Sequence, residues 1–248
     1  MRKIFLIIYI PILLLIVYEL WSHYNPTILE NRDYNQLISE DFDSAFTNFY
    51  RIELDKKVVR SKGFETMFAL VKKQSQKTGK PIVIVETGSV RRLPLDIPDD
   101  GESTLIFSHF LGKNGVLHSV DTDSNCKTII HRHLKLNNVQ FHKMNSIEFL
   151  KKFLNPQDIT LLYLNSYDVQ FGNSGSSARH HLEEIKAIFD NLKEGTIIAI
   201  DDNLVIDGKP VGKGYMVEDF LKAAGVYLIY DGYQKVFQIR HNPVNWED

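Results

Sequence analysis

Residues 81–92 read PIVIVETGSVRR, and this stretch decides how the rest of the chain is read. Ile82, Val83, Ile84 and Val85 form an unbroken β-branched run, which suits a strand covered on both faces. Pro81 marks off what precedes it, and Gly88 breaks the run on the other side. Between run and glycine stand Glu86 and Thr87, polar groups at the carboxyl end of a strand, where open α/β sheets hold their ligands. A glycine there lets backbone approach a ligand, and a carboxylate at the tip can take a charged amino group.

The same alternation continues downstream. The pattern predicts a helix over 103–111, a strand over 116–121, a helix over 124–136, a strand over 139–143 and a helix over 147–154. Then come a strand over 159–165, a helix over 177–192, a strand over 196–201, a helix over 215–224 and strands over 226–230 and 236–240. Short apolar strands between amphipathic helices imply a parallel sheet with helices on both faces. Residues 231–233 are too short a link for a parallel crossover, so the last two strands form an antiparallel hairpin. The expected architecture is α/β and Rossmann-like, a seven-stranded, mostly parallel sheet with a reversed C-terminal strand. Upstream, the spacing of Phe64, Met67, Phe68, Leu70 and Val71 predicts a helix beside the first strand.

The amino terminus is built differently. Arg2 and Lys3 precede an apolar run over 4–18, and Glu19, Leu20 and Trp21 follow it. At ~1.5 Å per residue, 4–21 reaches roughly 27 Å, enough for a thin bilayer. No small residues follow as a cleavage site would want, so the reading is an uncleaved N-terminal transmembrane helix. Residues 1–21 are thus a membrane anchor, 22–60 a stalk and 61–248 one catalytic domain. Basic residues before the span and acidic ones after it favour a domain outside or in a lumen. Across 248 residues the net charge is -2, which excludes a broad pull on nucleic acid. Cys126 is the only cysteine, so no intramolecular disulfide framework exists, and it reads as a packing residue.

Chemistry gathers at the strand ends. Asp121 closes the second strand, where a carboxylate can accept both hydroxyls of a ribose. Ser103 and Thr104 offer hydroxyls at a helix start after a long loop. The segments VETGSVRR, DDGESTLIF, HSVDTD, LLYLNSYD and IAIDDN resemble, in that order, the motifs of class I S-adenosylmethionine-dependent methyltransferases. The resemblance implies that Glu86 and Gly88 line the methionine end of the cofactor and that Asp121 holds its ribose. Asn145 and Ser146 would lie near the adenine, with Asn165 also on the cofactor side. Gly101, Ser103 and Thr104 would close the glycine-rich loop.

The fourth and fifth strands end in Asn165 to Asp168 and in Asp201, Asp202 and Asn203. Adjacent carboxylates and an amide oxygen are hard ligands that suit Mg²⁺. This part is similar to the metal-dependent, catechol-type O-methyltransferases, which implies a metal site of Asp201, Asp202 and Asn165. Asn165 stands where that group carries an acid, and Asp168 where it carries a lysine base. Asp168, His180 and His181 are the candidate bases. The turn Gly212, Lys213, Gly214 lacks the glycine spacing of a P-loop and reads as a loop before the last helix.

The expected function is transfer of a methyl group from S-adenosylmethionine to a hydroxyl of a small molecule or glycan, with Mg²⁺ as a candidate aid. Two rivals stand beside it. An NAD-dependent oxidoreductase lacks its G-x-G-x-x-G after the first strand, and a membrane-tethered binding protein that has lost catalysis is motivated by Asn165.

Overall fold

A computed structural model describes residues 58–92, 102–153 and 155–240. The expected anchor, most of the stalk and Gly101 lie outside the described residues. Among the described residues no helix is long and apolar enough to cross a membrane.

The strands are β1 (Ile82–Thr87), β2 (Gly115–Asp121), β3 (Val139–Lys143), β4 (Leu161–Leu164), β5 (Ile197–Ile200), β6 (Asn203–Ile206), β7 (Lys209–Gly212), β8 (Tyr227–Asp231) and β9 (Lys235–Gln238). The main helices are α1 (Val58–Thr78), α2 (Glu102–Leu111), α3 (Asn125–Thr128), α4 (Ser146–Lys152), α5 (Gly175–Lys186) and α6 (Tyr215–Ala223). Seven strands make one sheet in the order β3-β2-β1-β4-β5-β9-β8. All neighbours are parallel except β9, which runs antiparallel to both β5 and β8. The reversed strand is therefore last in sequence but inserted beside β5, leaving β8 at the edge.

Two apolar layers follow from the period of two along each strand. Ile82, Ile84, Leu161, Tyr163, Ile197 and Ala199 face α1 and α2, where Phe64, Phe68, Phe107 and Phe110 pack. Val85, Leu162, Leu164, Ile198 and Ile200 face α4, α5 and α6 through Phe149, Leu150, Ile185, Val217 and Leu221. The strands β4 and β5 are buried at every residue, as a central parallel strand requires. Cys126 is fully buried.

Three local expectations change, the first being that the helix expected over 177–192 ends at Lys186, with a separate 3₁₀ turn over Phe189–Asn191. The helix expected over 124–136 is only α3 followed by a wider π turn over Ile129–His133, in which the Leu134 N–H reaches back to Ile129 O at 2.9 Å. The segment before α6, read as a loop, contains the two-stranded hairpin β6–β7, with Asp207 and Gly208 in left-handed conformations at its tip.

Candidate active site

The parallel strands all present their carboxyl ends on one side, and a cleft of about 410 Å³ opens there. Gly88, at the end of β1, has φ +85°, and a Cβ on it would stand 2.6 Å from Asn165 O. Only glycine lets the tips of β1 and β4 come this close. Asp121 lines the cleft from β2, and its carboxylate accepts N–H bonds from Ser89 (3.1 Å) and Asp123 (2.9 Å). Beyond it, Met144, Asn145 and Ser146 form the wall after β3. Asn145 caps α4, accepting from the N–H groups of Ile147 and Glu148. The far wall is Asn165, Ser166, Tyr167 and Asp168, with Tyr167 held at φ +38°. Arg91 crosses the rim to grip Asp168 through both carboxylate oxygens, at 2.7 and 3.1 Å, and holds that carboxyl below its ordinary range.

Several expected site residues sit one layer beneath the cleft. Glu86 is fully buried and does not line the opening. Its Oε1 accepts from Thr104 (2.5 Å) and Ser119 (2.7 Å), while Oε2 has no hydrogen-bond partner among the described residues. Burial pushes its carboxyl up to about 7, against the hydrogen bonds that favour the charged form. Thr104 also accepts the Val90 N–H at 3.2 Å, so this helix start buttresses the β1 loop. Ser103 is buried on the same turn, and neither residue lines the cleft.

The two histidines part company. His181 is fully buried, its Nδ1 2.7 Å from Ser177 O, and burial lowers it to about 4. It is no base for a bound substrate, because α5 turns it into the protein. His180 lines the cleft and stacks on Tyr167 with ring centroids 5.1 Å apart. Its Nε2 faces Ser146 Oγ at 3.1 Å and the buried Glu184 at 3.4 Å, which places it on the Ser146 wall. Burial would push Glu184 up, but His181 and hydrogen bonds from His180, Ser146 and Ser166 outweigh it and keep the carboxyl below its ordinary value. The spacing of Glu184 four residues after His180 was the only sequence signal for this pair.

The acids after β5 are also occupied. Asp201 is fully buried, with Oδ2 3.1 Å from Arg60, and burial pushes its carboxyl up despite that cation. Asp202, at φ +54°, meets Lys213 (2.7 Å), Arg60 (3.1 Å) and the Tyr233 hydroxyl (2.7 Å). Burial opposes them, yet Lys213 and Arg60 bring its carboxyl down to about 2. Asn165 Oδ1 also accepts from Lys213, at 2.6 Å. The expected ligands Asp201, Asp202 and Asn165 thus face the chain's own cations. Among the described residues no group of three His, Cys, Asp or Glu is arranged to hold a metal. The donor set does not fit a divalent ion, since Asp201 Oδ2, both Asp202 oxygens and Asn165 Oδ1 already meet a positive charge. The sequence reading does not single out Arg60, which reaches these acids from α1, and takes Lys213 only as part of a loop. Tyr163, an aromatic at a strand end, is wholly in the core, where its hydroxyl accepts from Gln234 at 2.8 Å.

Comparison with known proteins adds an independent line. Residues 99–203 match a family model described as a methyltransferase domain. No curated protein matches. Solved structures with related folds include a putative O-methyltransferase from Klebsiella pneumoniae, at 13% identity and TM-score 0.48, covering 71% of this chain and 80% of that one. The MycE methyltransferase of mycinamycin biosynthesis, in complex with Mg and SAH, is 13% identical at TM-score 0.48, with 75% of this chain and 51% of that one covered. Human methyltransferase-like protein 13 in complex with SAH is 11% identical at TM-score 0.45, with coverage of 74% and 82%. This chain spans about half the length of MycE. The family match falls on the segment from α2 to β5 that builds most of the cleft, so this part of the chain is similar to a methyltransferase domain.

Proposed function

We propose that the cleft binds S-adenosylmethionine along its β1–β2–β3 wall and presents the methyl group to an acceptor oxygen beyond Asn165 and Asp168. The observation that carries this reading is the order of groups along one wall. Gly88 offers open backbone, Asp121 a carboxylate for ribose hydroxyls, and Met144 with Asn145 and Ser146 a partly apolar slot for a base. His180 links the two sides of the slot, within hydrogen-bond reach of Ser146 and stacked on Tyr167. When bound, the cofactor supplies a sulfonium methyl, which the acceptor oxygen takes as its own proton leaves.

The chain's part is mainly positioning. Asp121 fixes the ribose, and Asp168 is the candidate base that stands at the acceptor end of the rim. Arg91 makes Asp168 a weak base while paired, so proton loss follows release of that pair or transfer to solvent. The acceptor class is a hydroxyl of a small molecule or sugar. An N-terminal anchor over 4–21 would hold the domain at a membrane; the apolar run supports this, and alkaline carbonate should leave the full-length chain in the pellet. Release of a chain shortened to begin near Ser22 would instead identify a signal peptide.

Calorimetry on the detergent-solubilised chain tests the cofactor. S-adenosylmethionine should bind and NAD should not. Heat from NAD with none from S-adenosylmethionine would overturn the reading. Binding without transfer to any of a panel of hydroxyl acceptors would favour a binding protein that has kept the fold.

A further inference from the structure

The place where β4 and β5 end is filled by a side chain. Lys213 is 2% exposed, and its ammonium lies 2.7 Å from Asp202 Oδ2, 2.6 Å from Asn165 Oδ1 and 3.3 Å from Asn165 O. These three acceptors match the three N–H donors of an ammonium. Its delivery is built into the hairpin. Gly212 has φ +115°, and a Cβ there would stand 2.0 Å from Asp202 O, so only glycine lets β7 close against that turn. The Lys213 N–H then donates to Asp202 O at 3.0 Å, and the Gly214 N–H to Asn203 Oδ1 at 2.8 Å. Asn203 in turn donates to the carbonyls of Ile200, Asp201 and Tyr233.

We propose that Lys213 is the built-in cation of the acceptor site, and that it turns the Asn165 amide N–H toward the acceptor. This inference rests on the reading of the cleft as a methyl-transfer site. An ammonium cannot accept a hydrogen bond, so the Asn165 atom facing it is Oδ1, which settles the orientation of the amide. Asn165 lines the cleft, and what its side chain has left to offer there is the two N–H bonds of Nδ2. Those donors select a hydrogen-bond-accepting oxygen and do not coordinate a cation. The acceptor class is thereby a compound held through one such oxygen, rather than vicinal hydroxyls chelated on an ion. Lys213 acts through Asn165 and Asp202 and is a positioning residue.

The test is Mn²⁺ binding to the full-length chain, followed by electron paramagnetic resonance and calorimetry. The parent should take up no Mn²⁺ that depends on Asp202. Lys213→Ala removes a charge in contact with both oxygens and should bind one Mn²⁺ at least ~100-fold more tightly than the parent. Adding Asp202→Asn to that variant should abolish the gain. Asn165→Asp provides a second route if Lys213→Ala does not fold. With Lys213 in place the new carboxylate pairs with it and Mn²⁺ affinity stays as in the parent, whereas an open metal site would gain affinity. Parent binding of one Mn²⁺ that is lost in Asp202→Asn, a folded Lys213→Ala with no gain, or tighter binding in Asn165→Asp would each overturn the proposal. S-adenosylmethionine titrated into the same samples reports on the cofactor reading separately, since its failure to bind leaves the Mn²⁺ comparison intact.

Discussion

The two walls of the cleft are assembled by different physics. Along β1, β2 and β3 the groups that meet a ligand are held mainly by backbone: a glycine turn, a strand-tip carboxylate fixed by backbone N–H groups two and thirty-two residues away, and a helix cap. Past β4 and β5 the groups are acids taken out of water and neutralised by Arg60 from α1 and Lys213 from the β6–β7 hairpin. The first wall keeps its polar groups available to a ligand, while the second spends them on the fold. A carboxylate at a strand end is therefore evidence of a binding site only when its charge is not already matched inside the protein.

The sharpest way to break this comparison is to unpair the second wall. Arg60→Ala leaves the fully buried Asp201 without its cation and should cost about 3–5 kcal/mol of unfolding free energy in urea. Asp201→Asn in the same background should recover part of the loss. An Arg60→Ala protein as stable as its parent would show that the pair is solvated and the contrast false.

Next in size is the pH response of Glu86, the buried acid beneath the first wall. Its carboxyl stands near 7 when folded against an ordinary value of 4.5, so the folded state holds the proton more tightly. The associated stability is full below pH 4.5 and is lost as pH rises to 7, amounting to about 3 kcal/mol at most. Part-buried His109 and His118 and fully buried His181, each lowered to about 4, act in the opposite sense, losing stability as pH falls from 6.5 to 4. The difference between parent and Glu86→Gln isolates the acid, and it should shrink steadily from pH 4.5 to 7. A difference independent of pH would mean that Glu86 is ionised throughout.

Asp121→Ala should weaken S-adenosylmethionine by roughly 1–3 kcal/mol in calorimetry, the worth of hydrogen bonds to a charged group. Here the comparison predicts a loss of affinity that exceeds the loss of stability, the reverse of Arg60→Ala. The smallest effect belongs to the rim. Arg91 and Asp168 are both more than a third exposed, so Arg91→Ala should change stability by less than about 1 kcal/mol, and that change should fade in salt. A larger, salt-independent loss would place the pair with the buried acids.

The sequence by itself determined the sheet and put Gly88 and Asp121 at strand ends, but not that Glu86, Ser103 and Thr104 lie beneath the cleft. A β-branched run such as 82–85 has few alternatives to a buried strand, and Gly88 and Asp121 follow at strand ends that the pattern itself marks. The short link over 231–233 likewise forced the reversed strand. What only the tertiary structure decided is which polar groups remain open. His180 and His181 are adjacent in the chain, yet the pitch of α5 sends one to the cleft and the other into the core. Asp201 and Asp202 look like ligands until Arg60, 142 residues from Asp202, and the lysine of an unforeseen hairpin arrive beside them. Whether a charge is matched depends on what folds against it, and Coulomb energy follows distance in space rather than distance along the chain.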